Sequence, residues 1–571
     1  MTQSRTAAPD DDTSRAELDR ELNLLRALWK RNSGLFDPDV VDMLKNVAAQ
    51  LQTAPSAEAT APPTEELLNA MKQAFGYDSF RPGQQPIIEA VLAGRDCLGI
   101  MPTGAGKSLT YQLPARMLGG ITLVISPLIA LMKDQVDALT EAGVRATFLN
   151  SSLTQEERRA RLDGLSRGEF ELLYAAPEGL EASVGGVISS LKLALIAVDE
   201  AHCISQWGHD FRPAYRKLAG LKRRFPKTPV LALTATATRE VTRDIVAQLG
   251  MRQPAMFRGS FFRSNLIVSA YDKGTLGKLS TRDAILRIIR GRKGESGIVY
   301  CLSRKSTEST AEFLKKHGVR AAHYHAGLEP DQRSLVQDAF RDDEVDVVVA
   351  TIAFGMGIDK SNVRYVIHRD MPRSIEGYYQ EIGRAGRDGV PSHCVLFYSW
   401  ADVRAYDRFA DDSDDDTAAE RLRSQVRQMY RFASAQGCRH QHLVGYFDES
   451  LDACGSSCDQ CAEQVAPLDL HAPPEPRARS KAERSAKTAK QVSDGEPVAV
   501  DGELFERLKV LRRQLASERG VPAYVVFSDA CLLEMAARRP QSEAELLTVS
   551  GVGMSKLERY GAAFLAEIRR A

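Results

Sequence analysis

A run of small residues at Pro102–Ser108 is the first stretch whose composition points to chemistry. It lies between the apolar run Cys97–Met101 and a helical pattern, and such a loop directs backbone N–H groups and a helix N-terminus at phosphate oxygens. Lys107 would reach the β- and γ-phosphates and Ser108 would hold Mg²⁺. The full G-x-x-x-x-G-K-[ST] pattern has a glycine where this chain has methionine, so a plain glycine-rich turn is the alternative. The residues expected around the phosphates are Thr103, Gly104, Gly106, Lys107 and Ser108.

Two adjacent carboxylates follow a second apolar run. Leu193–Val198 leads directly into Asp199 and Glu200, so both acids leave the carboxyl end of a predicted buried strand, where α/β sheets bind ligands. Asp199 would hold Mg²⁺ through water, and Glu200 would orient and deprotonate an attacking water. An acidic pair at a strand end is weak evidence alone, but together with the phosphate loop it favours nucleotide hydrolysis.

A third run, Gln380–Arg387, supplies positive charge. Its two arginines are three residues apart and would share one face if the run is helical. Because phosphoryl transfer spreads negative charge over the phosphoryl oxygens, a guanidinium from outside the loop would stabilise it. A surface helix with ordinary salt bridges is the alternative. Two half-sites on separate parts of the chain predict a cleft that closes on the nucleotide. The candidates for the chemistry are Lys107, Asp199, Glu200, Gln380, Arg384 and Arg387.

Four of the nine cysteines lie between residues 438 and 461, which in a reducing compartment indicates metal ligation before disulfides. The last three are spaced i, i+4 and i+7, so a single helix would present them on one face. The first would complete a tetrahedral zinc site from a preceding helix. His440 and His442 are alternative ligands, although two solvent-facing histidines are the simpler interpretation. The predicted ligands of a structural Zn²⁺ are Cys438, Cys454, Cys458 and Cys461.

Apolar runs that alternate with helical stretches must position these residues. This alternation predicts parallel sheets wrapped by helices, in two α/β lobes. The strands predicted in the first lobe are Cys97–Met101, Thr122–Ser126, Leu193–Val198 and Val230–Leu233. Those predicted in the second lobe are Gly297–Cys301, Val345–Ala350, Val363–His368, which Arg364 interrupts, and Cys394–Tyr398.

The composition is that of an ordinary globular protein. Charged residues are 26% and hydrophobic residues 43%, which excludes collagen-like, wholly disordered and disulfide-scaffold classes. The 75 Lys and Arg balance the 75 Asp and Glu, so a polyanionic partner would need locally basic faces. No apolar run is long enough to span a bilayer and no signal region begins the chain, so we expect a cytoplasmic protein without a membrane partner. The 571 residues predict three or four domains.

The sequence resembles the RecQ family of superfamily 2 ATP-dependent DNA helicases over about Leu67–Cys461 and again over 501–571. The aromatic-rich run Ile204–Pro213 is the most diagnostic of the matching motifs. The others in the first lobe are Phe75–Tyr77, Phe80–Gln84, Pro102–Ser108, Ser126–Leu128, Ala176–Glu178, Asp199–His202 and Leu233–Ala237. Those in the second lobe are Tyr300–Arg304, Tyr324–Leu328, Ala350–Thr351, Phe354–Lys360 and Gln380–Arg387.

The resemblance implies two RecA-like parallel-sheet lobes, a small helical zinc module and an all-α HRDC-like domain. Together with the periodicity and composition of the segments outside it, the resemblance predicts these divisions: 1–65 for an N-terminal helical extension and linker, 66–270 for the first lobe, 271–405 for the second, 406–465 for the zinc module, 466–500 for a disordered linker, and 501–571 for the HRDC-like domain. Many RecQ proteins carry a winged-helix domain after the zinc module. Residues 462–500 are too few and too polar to form one, so substrate preferences linked to that domain are not carried over.

The resemblance also assigns roles. Gln84 would read the adenine edge, with Tyr77 and Arg81 packed around it, and Arg387 is preferred over Arg384 as the arginine finger. Aromatic side chains in the diagnostic run would stack on bases. The implied DNA contacts are Ser126, Trp207, Phe211, Arg212, His325, Thr351 and Tyr524.

The implied activity is Mg²⁺- and ATP-dependent 3′-to-5′ unwinding of DNA in repair and recombination. Single-stranded and partly duplex DNA and repair proteins would be the partners, and the protein would be associated with the nucleoid if its source is prokaryotic. A superfamily 2 RNA helicase is an alternative, against which the aromatic run, the cysteines and the HRDC-like segment argue. A nucleotide-gated DNA-binding or annealing module without efficient unwinding is the other alternative.

Overall fold

The computed structural model describes residues 61–127, 129–150, 152–178, 191–206, 210–354, 360–412, 415–462 and 502–570, without the side chains of 129–131. Several predictions from the sequence lie outside these residues. They are the N-terminal extension up to residue 60, Leu128, Trp207, most of the Phe354–Lys360 motif and the linker 466–500.

Seven parallel strands form the sheet of the first lobe, in the order β3-β4-β2-β5-β6-β1-β7. They are β1 Cys97–Ile100, β2 Ile121–Ile125, β3 Ala146–Leu149, β4 Leu172–Ala175, β5 Leu193–Val198, β6 Val230–Thr234 and β7 Ala255–Arg258. Its helices are α1 Thr64–Phe75, α2 Gln84–Leu92, α3 Leu109–Met117, α4 Ile129–Glu141, α5 Gln155–Ser166, α6 Leu221–Arg224 and α7 Arg239–Leu249. Short 3-10 turns follow β5 at Ala201–Ile204 and Pro213–Leu218.

Six parallel strands form the second sheet, in the order β10-β11-β9-β12-β13-β8. They are β8 Leu266–Asp272, β9 Ser296–Tyr300, β10 Ala321–Tyr324, β11 Val347–Ala350, β12 Val363–His368 and β13 Ser392–Tyr398. Its helices are α8 Thr281–Arg290, α9 Arg304–Lys316, α10 Pro330–Arg341 and α11 Ile375–Ile382, with a 3-10 turn at Lys273–Thr275. Because β8 pairs with β13, the second lobe begins before residue 271, the predicted boundary.

The two parallel sheets confirm the α/β prediction. The four strands predicted in each lobe are present, and their apolar runs are continuous because helices cover both faces of the sheets. β1, β2, β4 and β6 are buried along their whole length. The catalytic candidates after β1 and β5 therefore stand at the carboxyl end of the same parallel sheet, with only β6 between the two strands.

Two helical modules complete the described part of the chain. The first contains α12 Trp400–Asp411, α13 Asp416–Ser434 and α14 Arg439–Gly445, followed by an irregular segment that carries three cysteines. The second contains α15 Gly502–Arg519, α16 Ala523–Val526, α17 Asp529–Arg538, α18 Glu543–Leu546, α19 Met554–Lys556 and α20 Ala562–Arg569, with a π-helical turn at Leu557–Gly561. None of the described helices has the length and apolar content needed to cross a membrane.

Candidate active site

The phosphate loop connects β1 to α3. Gly104 and Gly106 have φ angles of 84° and 78°, in the left-handed region that glycine adopts without strain. Lys107 stands before α3 and donates a hydrogen bond from Nζ to the backbone oxygen of Met101 at 3.2 Å. Burial lowers the pKa of Lys107, Glu200 and Asp199 act in the opposite direction, and the charge of Arg387 lowers it further. Lys107 therefore lies near three of the other candidates for the chemistry, Asp199 and Glu200 of the first lobe and Arg387 of the second.

The acidic pair lies at the carboxyl end of β5. The backbone oxygen of Asp199 accepts a hydrogen bond from the Tyr215 hydroxyl at 2.8 Å. Burial, and then the charge of Glu200, raise the pKa of Asp199 to about 7, while Lys107 opposes the rise. Glu200 has a φ angle of 47°, a left-handed conformation that is uncommon for a residue with a side chain and is often found at functional sites.

Polar contacts connect Glu200 to the second lobe. Oε2 of Glu200 lies 3.3 Å from Nδ1 of the buried His202, and that nitrogen lies 2.9 Å from Oγ1 of Thr234. Thr234 donates from Oγ1 to the backbone oxygen of Thr236 at 3.0 Å. Nε2 of Gln380 then donates to Oγ1 of Thr236 at 3.4 Å. Gln380, predicted from its run, is therefore part of a contact chain that begins at the acidic pair.

The adenine motif, which is the segment from Tyr77 to Gln84 expected to receive the adenine base, contacts the backbone of the phosphate loop. The Arg81 backbone N–H donates to Oε1 of Gln84 at 2.8 Å, and the Gln84 amide donates to the backbone oxygens of Ala105 at 3.2 Å and Gly106 at 2.9 Å. The Arg81 guanidinium donates to the Gly104 oxygen at 2.5 Å. Tyr77 is 41% exposed. Gln84 is thus occupied by the loop itself, which connects the expected base site to the phosphate site.

The two arginines of the last motif do not share a helix face, because α11 ends at Ile382 and residues 383–389 form turns. Arg384 is buried in its own lobe, where it opposes the burial that raises the pKa of Tyr300 to about 12. Arg387 acts electrostatically on Lys107 of the first lobe. The structure therefore separates the two residues and brings Arg387 towards the phosphate loop, in the crevice between the lobes.

Arg263 lies between the lobes and was not predicted from the sequence. Its guanidinium donates to the oxygen of Thr103 in the phosphate loop at 3.2 Å and to the oxygens of Gly383, Ala385 and Gly386 at 3.1, 3.0 and 2.5 Å. Burial lowers the pKa of Arg263 to about 10, which still leaves it charged at neutral pH. A single arginine after two phenylalanines has no spacing signal, so only the tertiary structure could identify it.

The predicted DNA contacts of the first lobe are positioned differently from one another. Ser126 is buried at the end of β2. Phe211 is partly exposed, with the Arg216 guanidinium 5.6 Å from its ring centre. Arg212 bonds to Oδ2 of Asp210 at 3.1 Å and to the oxygen of Pro127 at 3.3 Å. Phe211 therefore keeps a stacking surface, whereas Ser126 offers little to solvent.

The predicted DNA contacts outside the first lobe are also buried or partly buried. His325 is buried, with Nε2 3.0 Å from Oε1 of Glu308 and its ring stacked on His323. Its imidazole is therefore not displayed on the surface as a phosphate contact would require. Thr351 and Tyr524 are each partly exposed, Thr351 directly after β11 and Tyr524 in α16.

The four predicted cysteines come together. Their sulfur atoms all lie within 4.8 Å of one another, with Cys438 and Cys458 buried and Cys454 and Cys461 partly buried. Sγ of Cys438 accepts hydrogen bonds from the backbone N–H groups of Cys454 at 3.3 Å and Gln441 at 3.5 Å. Four thiolates at such separations match the donor set of a tetrahedral structural zinc site.

The helix predicted for the last three cysteines is wrong, because residues 451–462 form an irregular segment with turns. Backbone hydrogen bonds from Val268 to Ser457 and from Asp459 to Val268, both 3.0 Å long, hold this segment on β8. His440 is buried, and its Nε2 lies 3.0 Å from the oxygen of Leu266, so it is neither a ligand nor solvent-facing. The interpretation that both histidines face solvent is therefore wrong for His440 and confirmed for His442, which is exposed.

Four protein families match separate parts of the chain. The DEAD/DEAH box helicase family matches residues 81–245, and the helicase conserved C-terminal domain matches 280–389. The RecQ zinc-binding family matches 400–462, and the HRDC domain matches 501–568. These matches cover the two lobes, the cysteine module and the C-terminal helices.

Curated relatives match most of the chain. The ATP-dependent DNA helicase RecQ of Pasteurella multocida is 38% identical over 601 residues, covering 89% of this chain and 94% of that protein. The protein of the same name from Bacillus subtilis is 37% identical, covering 87% of this chain and 97% of that protein. The ATP-dependent helicase SGS1 of Saccharomyces cerevisiae is 41% identical over 70% of this chain, but the match covers 29% of that protein.

Proposed function

The chain belongs to the RecQ family of ATP-dependent DNA helicases, and we propose that it couples hydrolysis of Mg²⁺-bound ATP to 3′-to-5′ movement along single-stranded DNA. The observation that carries this proposal is the crevice in which the two lobes meet at the phosphate loop, where the Arg263 guanidinium donates both to Thr103 of the loop and to Gly383 in the motif that contains Arg387. Such a crevice changes shape when nucleotide binds and leaves. Movement of the lobes would separate the strands of a partly duplex DNA substrate. We place this activity in DNA repair and recombination at the chromosome.

The residues around the crevice have complementary roles. Mg²⁺ bound near Asp199 and Ser108 would neutralise charge on the phosphates. Lys107 and the loop N–H groups hold the β- and γ-phosphates, and Glu200 orients the attacking water and accepts its proton. Arg387 stabilises the charge that develops on the transferred phosphoryl group. Arg384, buried beside Tyr300, is assigned to positioning.

DNA binding would communicate with hydrolysis through the first lobe. Phe211 of the aromatic run is partly exposed and offers a ring on which a base can stack, and Trp207 is a second aromatic residue of the same run. This run follows Glu200 and His202 in the chain, and their contacts continue through Thr234 to the second lobe. A DNA base that changes the conformation of the aromatic run would therefore also move Glu200. The RecQ zinc-binding and HRDC matches favour DNA over RNA as the track.

The experiment that tests this function measures ATP hydrolysis with single-stranded DNA, duplex DNA and RNA, followed by strand displacement. We expect single-stranded DNA to stimulate hydrolysis most, and a duplex with a 3′ tail to be opened faster than one with a 5′ tail. Greater stimulation by RNA would favour an RNA helicase. DNA-stimulated hydrolysis without displacement from either duplex would favour an annealing or binding module.

Replacement of Cys458 by alanine should remove the structural zinc. The unmodified protein should contain about one zinc per chain by elemental analysis, and the variant should contain almost none and unfold at a lower temperature, because ligand thiolates and folding are linked. Cys301→Ala is the matched control, since burial raises the pKa of this thiol to about 11 and it lies outside the cluster. Full zinc content in the Cys458 variant would contradict the assignment.

Replacement of Arg263 by lysine should slow DNA-stimulated hydrolysis while preserving charge. A hydrogen bond to a charged group contributes about 1.5–3 kcal/mol, so loss of the guanidinium fork that joins both lobes should cost about 10- to 100-fold in kcat. Steady-state kinetics would measure the effect, with thermal unfolding to verify the fold. A kcat within twofold of the unmodified protein would show that the bridge does not matter for turnover.

A further inference from the structure

The C-terminal helical domain packs against the first lobe, next to the adenine motif. The Gly551 backbone N–H donates to the oxygen of Gly76 at 3.0 Å. A Cβ on Gly76 would overlap the backbone of Val552 and Gly553, and one on Gly553 would lie 3.2 Å from the Gly76 nitrogen. Two glycines therefore allow the backbones of the two domains to touch.

Glu141, the last residue of α4, anchors the same domain by its side chain and its backbone. Its backbone oxygen accepts from the Ser555 hydroxyl at 2.9 Å and from the Arg559 guanidinium at 3.0 Å. Its carboxylate accepts from Arg559 at 2.5 Å and from the Tyr560 hydroxyl at 3.1 Å. The Glu141 side chain is 17% exposed and that of Arg559 is 31% exposed, so solvent only partly screens this pair.

The domain also reaches the second lobe. Nε of Arg513 lies 3.4 Å from Oδ2 of Asp343, and the other oxygen of that buried carboxylate accepts from Nζ of Lys360 at 2.5 Å. The domain thus spans both lobes. Arg513 and Arg559 thus each lie beside a carboxylate of a lobe, with 41% and 31% of their side chains exposed.

Gly76, which the C-terminal domain contacts, immediately precedes the residues of the nucleotide site. Tyr77 follows directly, and the segment ends at Arg81 and Gln84, whose side chains hold the oxygens of the phosphate loop. On the basis of the proposed function, we propose that the C-terminal domain is a structural part of the nucleotide site. By binding Gly76 and Glu141, the domain holds the segment from Tyr77 to Gln84 in the position that receives the adenine base of the nucleotide.

Two independent changes would open this interface in the full-length protein. Gly553→Val adds a side chain against Gly76 at a position whose φ angle of −90° tolerates one. Glu141→Arg places two positive charges together, and the double variant Glu141→Arg, Arg559→Glu restores the pair with exchanged charges. Glu558→Lys, which changes an exposed neighbour of Arg559, is the control.

The test measures the dissociation constant for Mg²⁺-bound ADP by calorimetry and the hydrogen exchange of backbone amides in residues 72–84. We expect each opening variant to raise the dissociation constant about 5-fold or more and to accelerate exchange in this segment. The control should change neither quantity, and the double variant should recover both.

Each other outcome overturns the proposal in a different way. Unchanged exchange in both opening variants would mean that the domain is not docked in solution. Faster exchange with unchanged ADP affinity would mean that docking does not support the nucleotide site. If the unmodified protein did not bind ADP, the proposed helicase function would be wrong, and the role of the C-terminal domain at the nucleotide site would be wrong with it.

Discussion

Arg387→Ala should slow DNA-stimulated ATP hydrolysis by about 10³- to 10⁵-fold, the range over which an arginine finger acts in phosphoryl transfer. The expected loss is in kcat, because the guanidinium is needed as negative charge develops on the transferred group. The dissociation constant for ADP should change little, since the phosphate loop and the adenine motif belong to the first lobe. Single-turnover hydrolysis and ADP titration measure the two quantities.

Two further variants make this prediction specific. Arg290→Ala removes an exposed arginine at the end of α8 and should leave kcat within twofold. Arg384→Ala should reduce kcat less than Arg387→Ala, because Arg384 is buried beside Tyr300 in its own lobe. The reverse order of effects would exchange the roles of the two arginines.

Lys107→Ala should reduce ATP hydrolysis by about 10²- to 10³-fold and leave binding of single-stranded DNA measurable. The lysine is a partly buried cation near Asp199 and Glu200, and its charge opposes the rise in the pKa of Asp199. Without it, the carboxylates repel the triphosphate and the β- and γ-phosphates lose their charged contact. Hydrolysis with saturating DNA and fluorescence anisotropy of a labelled oligonucleotide measure both properties.

Lys227→Ala, which alters an exposed lysine of the same lobe, is the matched control and should behave as the unmodified protein. Loss of DNA binding with hydrolysis retained would overturn the assignment of Lys107 to the phosphates.

The central strands were predictable from the sequence, and so was the position of Lys107, Asp199 and Glu200 after two of them. Leu193–Val198 and Val363–His368 have the predicted bounds, because buried parallel strands leave long apolar runs. Strands such as Ala146–Leu149 and Ala321–Tyr324 were not predicted, because a run of four residues is too short to distinguish the hydrophobic periodicity of a strand from that of a helix. Arg364 interrupts a strand without breaking it because Asp388 accepts its hydrogen bond at 2.6 Å.

Features that depend on distant segments could not be predicted. Arg263 contacts backbone oxygens from two lobes, and backbone oxygens carry no residue type that a pattern could show. The i, i+4, i+7 spacing of the cysteines suggested a helix, but pairing of the segment with β8 and convergence of the sulfurs favour turns. His325 has a motif position typical of a contact residue, whereas its burial depends on Glu308 and His323.

The most direct test of the mechanism is the affinity for Mg²⁺-bound ADP with and without aluminium fluoride, a mimic of the transferred phosphoryl group, in the presence of single-stranded DNA. Transition-state mimics bind at least about 100-fold more tightly than ground-state ligands when the stabilising groups are in place. We predict that fluoride strengthens ADP binding by this factor in the unmodified protein and hardly at all in Arg387→Ala. Equal strengthening in both proteins would contradict completion of the site by the second lobe.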